Sequence, residues 1–109
     1  MISYDQFASV EMTIGEILDV EIVEQADKLL QLTVDVGEEK PRQIVSGIRE
    51  FFEDPQTLVG KKCPFVTNLE YRTIRGLESE GMILAAATGD GAFALLIPSE
   101  DLPVGTRLS

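Results

Sequence analysis

The segment 61–76 concentrates the positive charge of this sequence. It has four bases and one acid, a net charge of +3, which leaves −13 for the rest of the chain. The bases are Lys61, Lys62, Arg72 and Arg75, and the acid is Glu70. A total charge of −10 argues against strong nonspecific binding of nucleic acid, so we expect a small basic patch on an acidic body.

An aromatic and an amide side chain accompany this charge. Tyr71 lies between Asn68 and Arg72. An aromatic ring can stack on an exposed RNA base, an amide can form hydrogen bonds with it, and a guanidinium can contact phosphate. The combination indicates an RNA-binding surface, although four bases in a stretch of this length also occur on ordinary solvated surfaces.

Residue types that perform catalysis are scarce. The absence of histidine removes the commonest general base, the usual catalytic triads and most zinc sites. The single cysteine, Cys63, fits a small core residue in a reduced protein. The acid pairs Glu38-Glu39 and Glu78/Glu80 have no apolar surroundings to raise a pKa, so we expect solvated carboxylates. We therefore expect a binding protein rather than an enzyme, without a metal or cofactor.

The N-terminal part of the sequence predicts a short helix and a long bent strand. Ser3 and Gln6 have the spacing of a capping box, which predicts a helix from about Tyr4 to Ala8. Apolar residues then fall largely on even positions from residue 10 to residue 22, the periodicity of a strand. This run is too long for a straight strand, and Gly15 is expected to mark a bulge or bend.

The remaining pattern predicts further strands. They are expected over residues 30–36, 42–46, 61–68, 82–87 and 92–97, with a short helix or helical turn within 48–58 and a loop-like tail. Pro64 suggests an edge or a bulge. Gly76 and Gly81 frame a polar loop that should direct Arg75 and Ser79 outward from a buried strand.

These elements predict an all-β protein. Five or so strands with short helical segments are typical of a five-stranded Greek-key OB-fold barrel, and an SH3-like barrel or a β-sandwich is the alternative. The length of 109 residues fits a single domain spanning residues 1–109. The N-terminus lacks a signal-peptide pattern and the longest apolar run has six residues, so we expect a cytoplasmic protein without a membrane span.

Three segments together resemble the tRNA-binding domain family. This module occurs at the C-terminus of many bacterial methionyl-tRNA synthetases, as a free-standing bacterial tRNA-binding protein and in endothelial monocyte-activating polypeptide. The similar segments are residues 24–30 (EQADKLL), residues 42–48 (RQIVSGI), and Asn68-Leu69 followed by residues 75–86 (RGLESEGMILAA). The resemblance runs in order from about Ile2 to Leu108, and Met1 is compatible with a complete gene product or with a synthetase fragment.

The resemblance implies an OB-fold homodimer that binds tRNA by shape and backbone and assists a methionyl-tRNA synthetase in cis or in trans. It implies phosphate contacts for Lys28, Arg42, Arg72 and Arg75. It also implies hydrogen bonds in the groove for Asn68 and Ser79 and a place on the groove floor for Met82, with Ser46 as a further RNA-binding position. For Ser46, Ser79 and Met82 a purely structural role is an equal alternative.

One departure from the family pattern lowers the expected affinity for RNA. Relatives often read NLKPRK or similar where this chain reads NLEYRT from residue 68 to residue 73. The change loses two bases and adds an acid, so affinity should fall and its salt dependence should flatten. Two alternatives of other classes stay open, namely a CsaA-like protein-binding chaperone and a synthetase dimerisation domain with little RNA affinity.

Overall fold

The backbone is built mainly from short antiparallel strands. The computed structural model describes residues 1–109, with one α-helix, nine strands and two 3₁₀ turns. The helix is α1 (Tyr4–Ala8), and the strands are β1 (Met12–Ile22), β2 (Leu30–Asp35), β3 (Arg42–Ser46), β4 (Lys62–Val66), β5 (Arg72–Ile74), β6 (Leu77–Ser79), β7 (Met82–Ile83), β8 (Ala85–Ala87) and β9 (Phe93–Leu95). The 3₁₀ turns are Arg49–Phe51 and Pro55–Leu58, where the sequence predicted a short helix or helical turn. None of the helices has the length and apolarity that crossing a bilayer requires.

Five of these strands form one antiparallel sheet in the order β3-β2-β1-β4-β7. Residues 12–16 of β1 pair with β4, and residues 16–22 pair with β2, so a single bent strand joins both halves of the sheet. β3 meets β6 and β7 at the far side and nearly closes the barrel. The predicted all-β, five-stranded OB-fold class is confirmed.

The bend of β1 differs from the prediction. The register against β2 shifts between Ile17 and Asp19, so the bulge lies at Leu18 and not at Gly15. Gly15 instead faces the barrel interior, where a Cβ atom would lie 2.8 Å from side-chain atoms of Phe65 and Val34. The glycine is needed there because the two buried side chains leave no room for a methyl group.

The bulge also changes which residues of β1 are buried in the core. Ile17 and Val20 belong to the main hydrophobic cluster, whereas Leu18 is exposed. The even-numbered residues before the bulge, Met12 and Ile14, lie on the other face of the strand, beside the C-terminal tail. The even-numbered apolar residues of β1 therefore do not all face the core, although their alternation predicted a single buried face.

The central strands follow their sequence pattern. Leu30, Leu32, Val34 and Val36 are all buried, as their alternation predicts. β3 pairs with β2 in the register Leu30↔Ser46 to Val34↔Arg42. Cys63 and Phe65 of β4 are fully buried, which confirms Cys63 as a core residue, and burial raises the pKa of its thiol to about 11. β4 lies between β1 and β7 rather than at an edge, and Pro64 comes just before the two residues that pair with β7.

The helical prediction at the N-terminus is confirmed. In α1 the Ser3 hydroxyl accepts a hydrogen bond from the Gln6 amide, and the Gln6 side chain accepts one from the Ser3 amide. The resulting capping box stabilises a helix of only five residues. Phe7 of this helix is only half-covered by the rest of the chain.

The final strands depart from the prediction. The expected strand over residues 82–87 is broken at Leu84, since β7 joins the main sheet while β8 forms a separate hairpin with β9. The expected burial is wrong for most of this run, because Met82 and the three alanines of β8 are exposed and only Ile83 is buried. Phe93 of β9 stacks on Phe51 at a ring-centroid distance of 4.3 Å, which holds the hairpin against the barrel.

The C-terminal tail is ordered along β1. The Ile14 amide donates to the Thr106 carbonyl at 2.8 Å, and the Leu108 amide donates to the Met12 carbonyl at 2.9 Å. The tail therefore covers the edge of β1 that β2 leaves free near the start of the strand, where the sequence predicted only a loop.

Candidate nucleic-acid interface

Two loops on one side of the barrel form a cleft. The first connects β1 to β2 and covers residues 23–29, and the second connects β4 to β7 and covers residues 67–81. The cleft has a volume of about 450 Å³ and is lined by Gln25, Ala26, Asp27, Lys28, Leu29, Ile74 and Arg75. Lys28 and Arg75, which are far apart in the sequence, thus converge on one concave surface.

The second loop contains a hairpin. β5 and β6 pair in the register Arg72↔Ser79, Thr73↔Glu78 and Ile74↔Leu77. The polar insert predicted as an irregular loop is therefore largely a strand, and Arg75 and Gly76 form the two-residue turn at its tip. Arg75 is exposed there, as predicted, and Arg72 is exposed on the neighbouring strand.

Backbone strain is concentrated at this cleft. Gln25 and Arg75 are the two non-glycine residues of the chain with positive φ, 63° and 52° respectively. They lie on opposite loops and both line the cleft. Arg75 and Gly76, with φ of 52° and 80°, match a type I′ turn, for which Asn-Gly is the preferred pair. A left-handed arginine in that place costs free energy, and such residues cluster at functional sites.

Ser79 does not point outward as the sequence predicted. Only 5% of its surface is exposed, and its hydroxyl accepts a hydrogen bond from the Val45 amide at 3.0 Å. The same hydroxyl donates to the Gly81 carbonyl at 3.1 Å. Ser79 therefore joins the hairpin to the edge of β3.

Glu80 closes the barrel beside Ser79. Its carboxylate accepts a hydrogen bond from the Gln43 amide at 2.8 Å, and its own amide donates to the Gln43 carbonyl at 2.8 Å. The negative charge of Glu80 is thus directed to the strand edge, whereas Glu78 is exposed on the hairpin. Of these two acids, Glu80 therefore has a structural partner for its carboxylate.

Asn68 is also bound within the protein. Its side-chain oxygen accepts from the Glu11 amide at 2.8 Å, and its side-chain nitrogen donates to the Ser9 carbonyl at 2.7 Å. The amide group attaches the start of the second loop to the segment between α1 and β1. Sequence reasoning gave Asn68 a hydrogen-bonding role, and the structure shows two protein partners for it.

Arg42 lies at the base of the second loop rather than at its tip. It forms a bidentate ion pair with Glu38, with Nε and Nη2 2.7 and 2.8 Å from the two carboxylate oxygens. The hydrogen bond from Arg42 lowers the pKa of the Glu38 carboxyl and raises the pKa of the Arg42 guanidinium. Sequence reasoning missed Glu38 as the partner of Arg42.

Two other predicted positions adjoin the loops that form the cleft. Ser46 is half-buried at the end of β3, opposite Leu30, which directly follows the first loop. Met82 is exposed on β7, opposite Val66. Lys62, by contrast, lies at the far end of β4 from the hairpin, with its ammonium 2.8 Å from Asp101. The predicted basic patch is therefore divided between two regions.

Comparison with known proteins identifies the family. The family described as "Putative tRNA binding domain" matches residues 12–107. The chain belongs to this tRNA-binding domain family. Its matched region contains every residue of the cleft and of the hairpin.

Curated relatives are much longer than this chain. It is 44% identical over 108 residues to "Methionine--tRNA ligase" of Enterococcus faecalis, covering 99% of this chain and 16% of the relative. It is 48% identical over 108 residues to the protein of the same name from Deinococcus radiodurans, with the same coverage. The chain therefore spans about a sixth of the length of these relatives.

Solved structures include two kinds of similar protein. A MetRS-related protein from Pyrococcus horikoshii has a TM-score of 0.92 and 37% sequence identity, covering 100% of this chain and 98% of that chain. The chaperone CsaA from Bacillus anthracis has a TM-score of 0.88 and 27% identity, covering 100% and 99%. The same tRNA-binding domain fold thus occurs in proteins with two different names.

Proposed function

We propose that this chain is a tRNA-binding module that acts as one domain over residues 1–109, without catalytic activity of its own. The observation that supports this most directly is the convergence of Lys28 and Arg75 on the cleft between the two loops. In OB-folds the corresponding pair of loops binds oligonucleotides. Family membership and the similarity to methionine–tRNA ligases point to tRNA as the ligand.

The proposed contacts are mostly to the RNA backbone. Lys28, Arg72 and Arg75 are exposed and can reach phosphates, while the strained turn holds Arg75 at the hairpin tip. Ser46 and Met82 are proposed to line the surface beside the cleft. Asn68 and Ser79 support it through their bonds within the protein. Because each chain makes few phosphate contacts, we expect it to recognise the shape and backbone of tRNA and to bind with modest affinity.

The domain is proposed to form a homodimer through an apolar face. A groove of about 480 Å³ is lined by Ile14, Pro64, Leu96, Ile97, Leu102 and Leu108, among others. A second, smaller groove contains Tyr4 and Phe7 of α1 and shares Leu108 with the first. One chain thus offers two adjoining apolar grooves with exposed aromatic side chains, and a two-fold pairing can bury both at once.

Dimerisation would strengthen RNA binding. Two linked clefts raise the effective concentration of the second contact, which offsets the small number of bases in each chain. In this proposal the module assists a methionyl-tRNA synthetase in cis or in trans, in the cytoplasm. The support is the similarity to methionine–tRNA ligases over 99% of this chain.

A titration of labelled tRNA tests the RNA proposal. At low salt we expect saturable binding by the wild type and at least tenfold weaker binding by Arg72→Ala/Arg75→Ala, because two phosphate contacts are lost. A second titration at higher salt should give a log K versus log [salt] slope that is shallower by about 1.4 to 1.8 in the double variant.

The charge-matched control is Lys61→Ala/Lys62→Ala, which removes two bases at the far end of β4. This variant should keep most of the wild-type affinity. Absence of saturable wild-type binding, or equal binding by the wild type and Arg72→Ala/Arg75→Ala, would exclude the cleft as an RNA site.

A second candidate is a protein-binding chaperone. The similarity to CsaA and the exposed apolar grooves favour it. A synthetase dimerisation domain is the other alternative and needs only the apolar face. Either alternative predicts that the wild type fails the tRNA titration, and sedimentation of the chain alone then separates the two, since only the dimerisation domain requires self-association.

A further inference from the structure

Arg42 holds together the two ends of the loop that bears the hairpin. Its Nη1 atom donates to the Thr67 carbonyl at 2.5 Å and to the Glu80 carbonyl at 2.9 Å. Between these two carbonyls lie the twelve residues 68–79, which include all of β5 and β6. One guanidinium nitrogen therefore closes the base of the hairpin loop.

This contact continues the sheet beyond its last paired residues. The β4–β7 ladder ends at Val66↔Met82, and the next positions outward are not paired by the backbone. Beyond that point the Arg42 side chain links the two segments, because its two hydrogen bonds join the chain leaving β4 to the chain entering β7. Fixing both ends of a loop reduces the conformations that its tip can adopt.

Glu38 fixes the guanidinium from the opposite side. Its two carboxylate oxygens accept from Nε and Nη2 of Arg42, a bidentate geometry that sets the plane of the guanidinium. A guanidinium has five N–H donors, and four are occupied here. The Arg42 side chain is only 15% exposed, so little of it is free for a phosphate.

We propose that the Glu38–Arg42 ion pair is a positioning device for the RNA-binding hairpin, and that Arg42 is not a phosphate contact. The inference rests on the proposed function, since it concerns how Arg72 and Arg75 are presented to RNA. It replaces the phosphate role that the family resemblance implied for Arg42. Glu38, an acid near an RNA site, then supports binding instead of opposing it.

The two roles predict opposite effects of Glu38→Gln. If Arg42 contacts phosphate, loss of the Glu38 charge frees the guanidinium and tRNA binds more tightly. If the pair positions the hairpin, the neutral amide holds the Arg42 guanidinium less firmly, and tRNA binds about threefold to fivefold more weakly. Glu39→Gln is the matched control, because it removes the same charge from the neighbouring exposed residue.

The comparison is therefore between the two variants. Weaker tRNA binding by Glu38→Gln than by Glu39→Gln supports the positioning role, and equal or tighter binding overturns it. Arg42→Lys provides a second test, because lysine keeps the charge but cannot donate to a carboxylate and two carbonyls in this geometry. We expect weaker binding with an unchanged salt slope, whereas wild-type affinity for Arg42→Lys contradicts the proposal.

Hydrogen exchange tests the device without RNA. The backbone amides of residues 68–81 should exchange about threefold to fivefold faster in Glu38→Gln than in the wild type. In Glu39→Gln they should exchange at the wild-type rate. Unchanged exchange in Glu38→Gln would overturn the inference even if the wild type binds tRNA. If instead the wild type fails to bind tRNA while the exchange difference is present, the proposed RNA function is wrong, but the Glu38–Arg42 pair still holds the hairpin in place.

Discussion

At the residue scale, the charged groups of this protein divide into those that hold the loops and those that face solvent. Arg42 has four donors engaged within the chain, and Glu80 accepts from the backbone of β3. Arg72 and Arg75 are exposed and Arg75 sits on a left-handed backbone. The type I′ turn requires positive φ at this position, yet the residue present is an arginine and not the preferred asparagine, which is why we connect it with ligand binding.

Replacement of Arg75 by asparagine should separate stability from binding. Asparagine tolerates positive φ, and Asn-Gly is the preferred type I′ pair, so Arg75→Asn should raise the free energy of unfolding by up to about 1 kcal/mol. The same change should weaken tRNA binding severalfold because a phosphate contact is lost. Urea unfolding and the tRNA titration measure the two effects.

Arg72→Asn is the control for this prediction, because it removes the same charge from an adjacent strand position without positive φ. It should weaken tRNA binding without stabilising the fold. A gain in stability for both variants, or for neither, would argue against strain at the hairpin tip.

At the element scale, β1 organises the barrel because its two halves serve different partners. Its first half pairs with β4 and with the C-terminal tail, and its second half pairs with β2. The change of partner occurs at Glu16 and the bulge at Leu18 lies within the second half, while Gly15 allows β1 to pass close to Phe65 of β4. A short strand without these two features could not join both sides of a closed barrel.

A methyl group at Gly15 should disturb this packing. In Gly15→Ala the new Cβ would lie 2.8 Å from both Phe65 and Val34, which are fully buried and cannot move away freely. We expect the free energy of unfolding to fall by about 1 to 3 kcal/mol in urea denaturation. The comparison variant is Gly89→Ala, whose Cβ would meet no atom within 4 Å and should change stability little. Equal stabilities of the two variants would show that the barrel adjusts without cost.

At the scale of the whole molecule, the two proposed surfaces use different parts of the chain. The cleft is formed by the first and second loops, whereas the apolar grooves are formed by α1, the start of β1, Pro64 of β4, and the C-terminal residues. Residues 10, 12 and 14 of the even-numbered apolar pattern line these grooves or their margins. The hydrophobic pattern at the start of the chain thus belongs to an apolar outer face, which we propose is covered in the dimer, and not to the barrel interior.

Sedimentation equilibrium tests the dimer. The wild type should sediment as twice the 12.0 kDa chain at micromolar concentrations, and Ile97→Asp should shift it to the monomer by placing a charge in the apolar groove. Leu18→Asp replaces another exposed apolar residue, one outside the grooves, and should remain dimeric. A wild type that sediments only as the monomer would remove the dimer from the proposal.

The sequence by itself determined the fold class and the strands with regular patterns. The alternation from Leu30 to Val36 fixes which face of β2 is buried, and the Ser3–Gln6 spacing fixes the start of α1. Both signals are local, since they depend on side-chain direction within a strand or on one turn of a helix. The three family-like segments also indicated the tRNA-binding domain family, which the comparisons confirm.

Only the tertiary structure decided which candidate side chains are free to bind. Arg42, Asn68 and Ser79 have the same residue types as solvent-facing RNA contacts, but each is engaged with a partner distant in sequence, such as Thr67, Ser9 and Val45. The convergence of Lys28 and Arg75 likewise depends on how the nearly closed barrel brings two loops together. Local patterns do not specify such contacts, because they follow from the path of the whole chain and from the bulge at Leu18 that bends it.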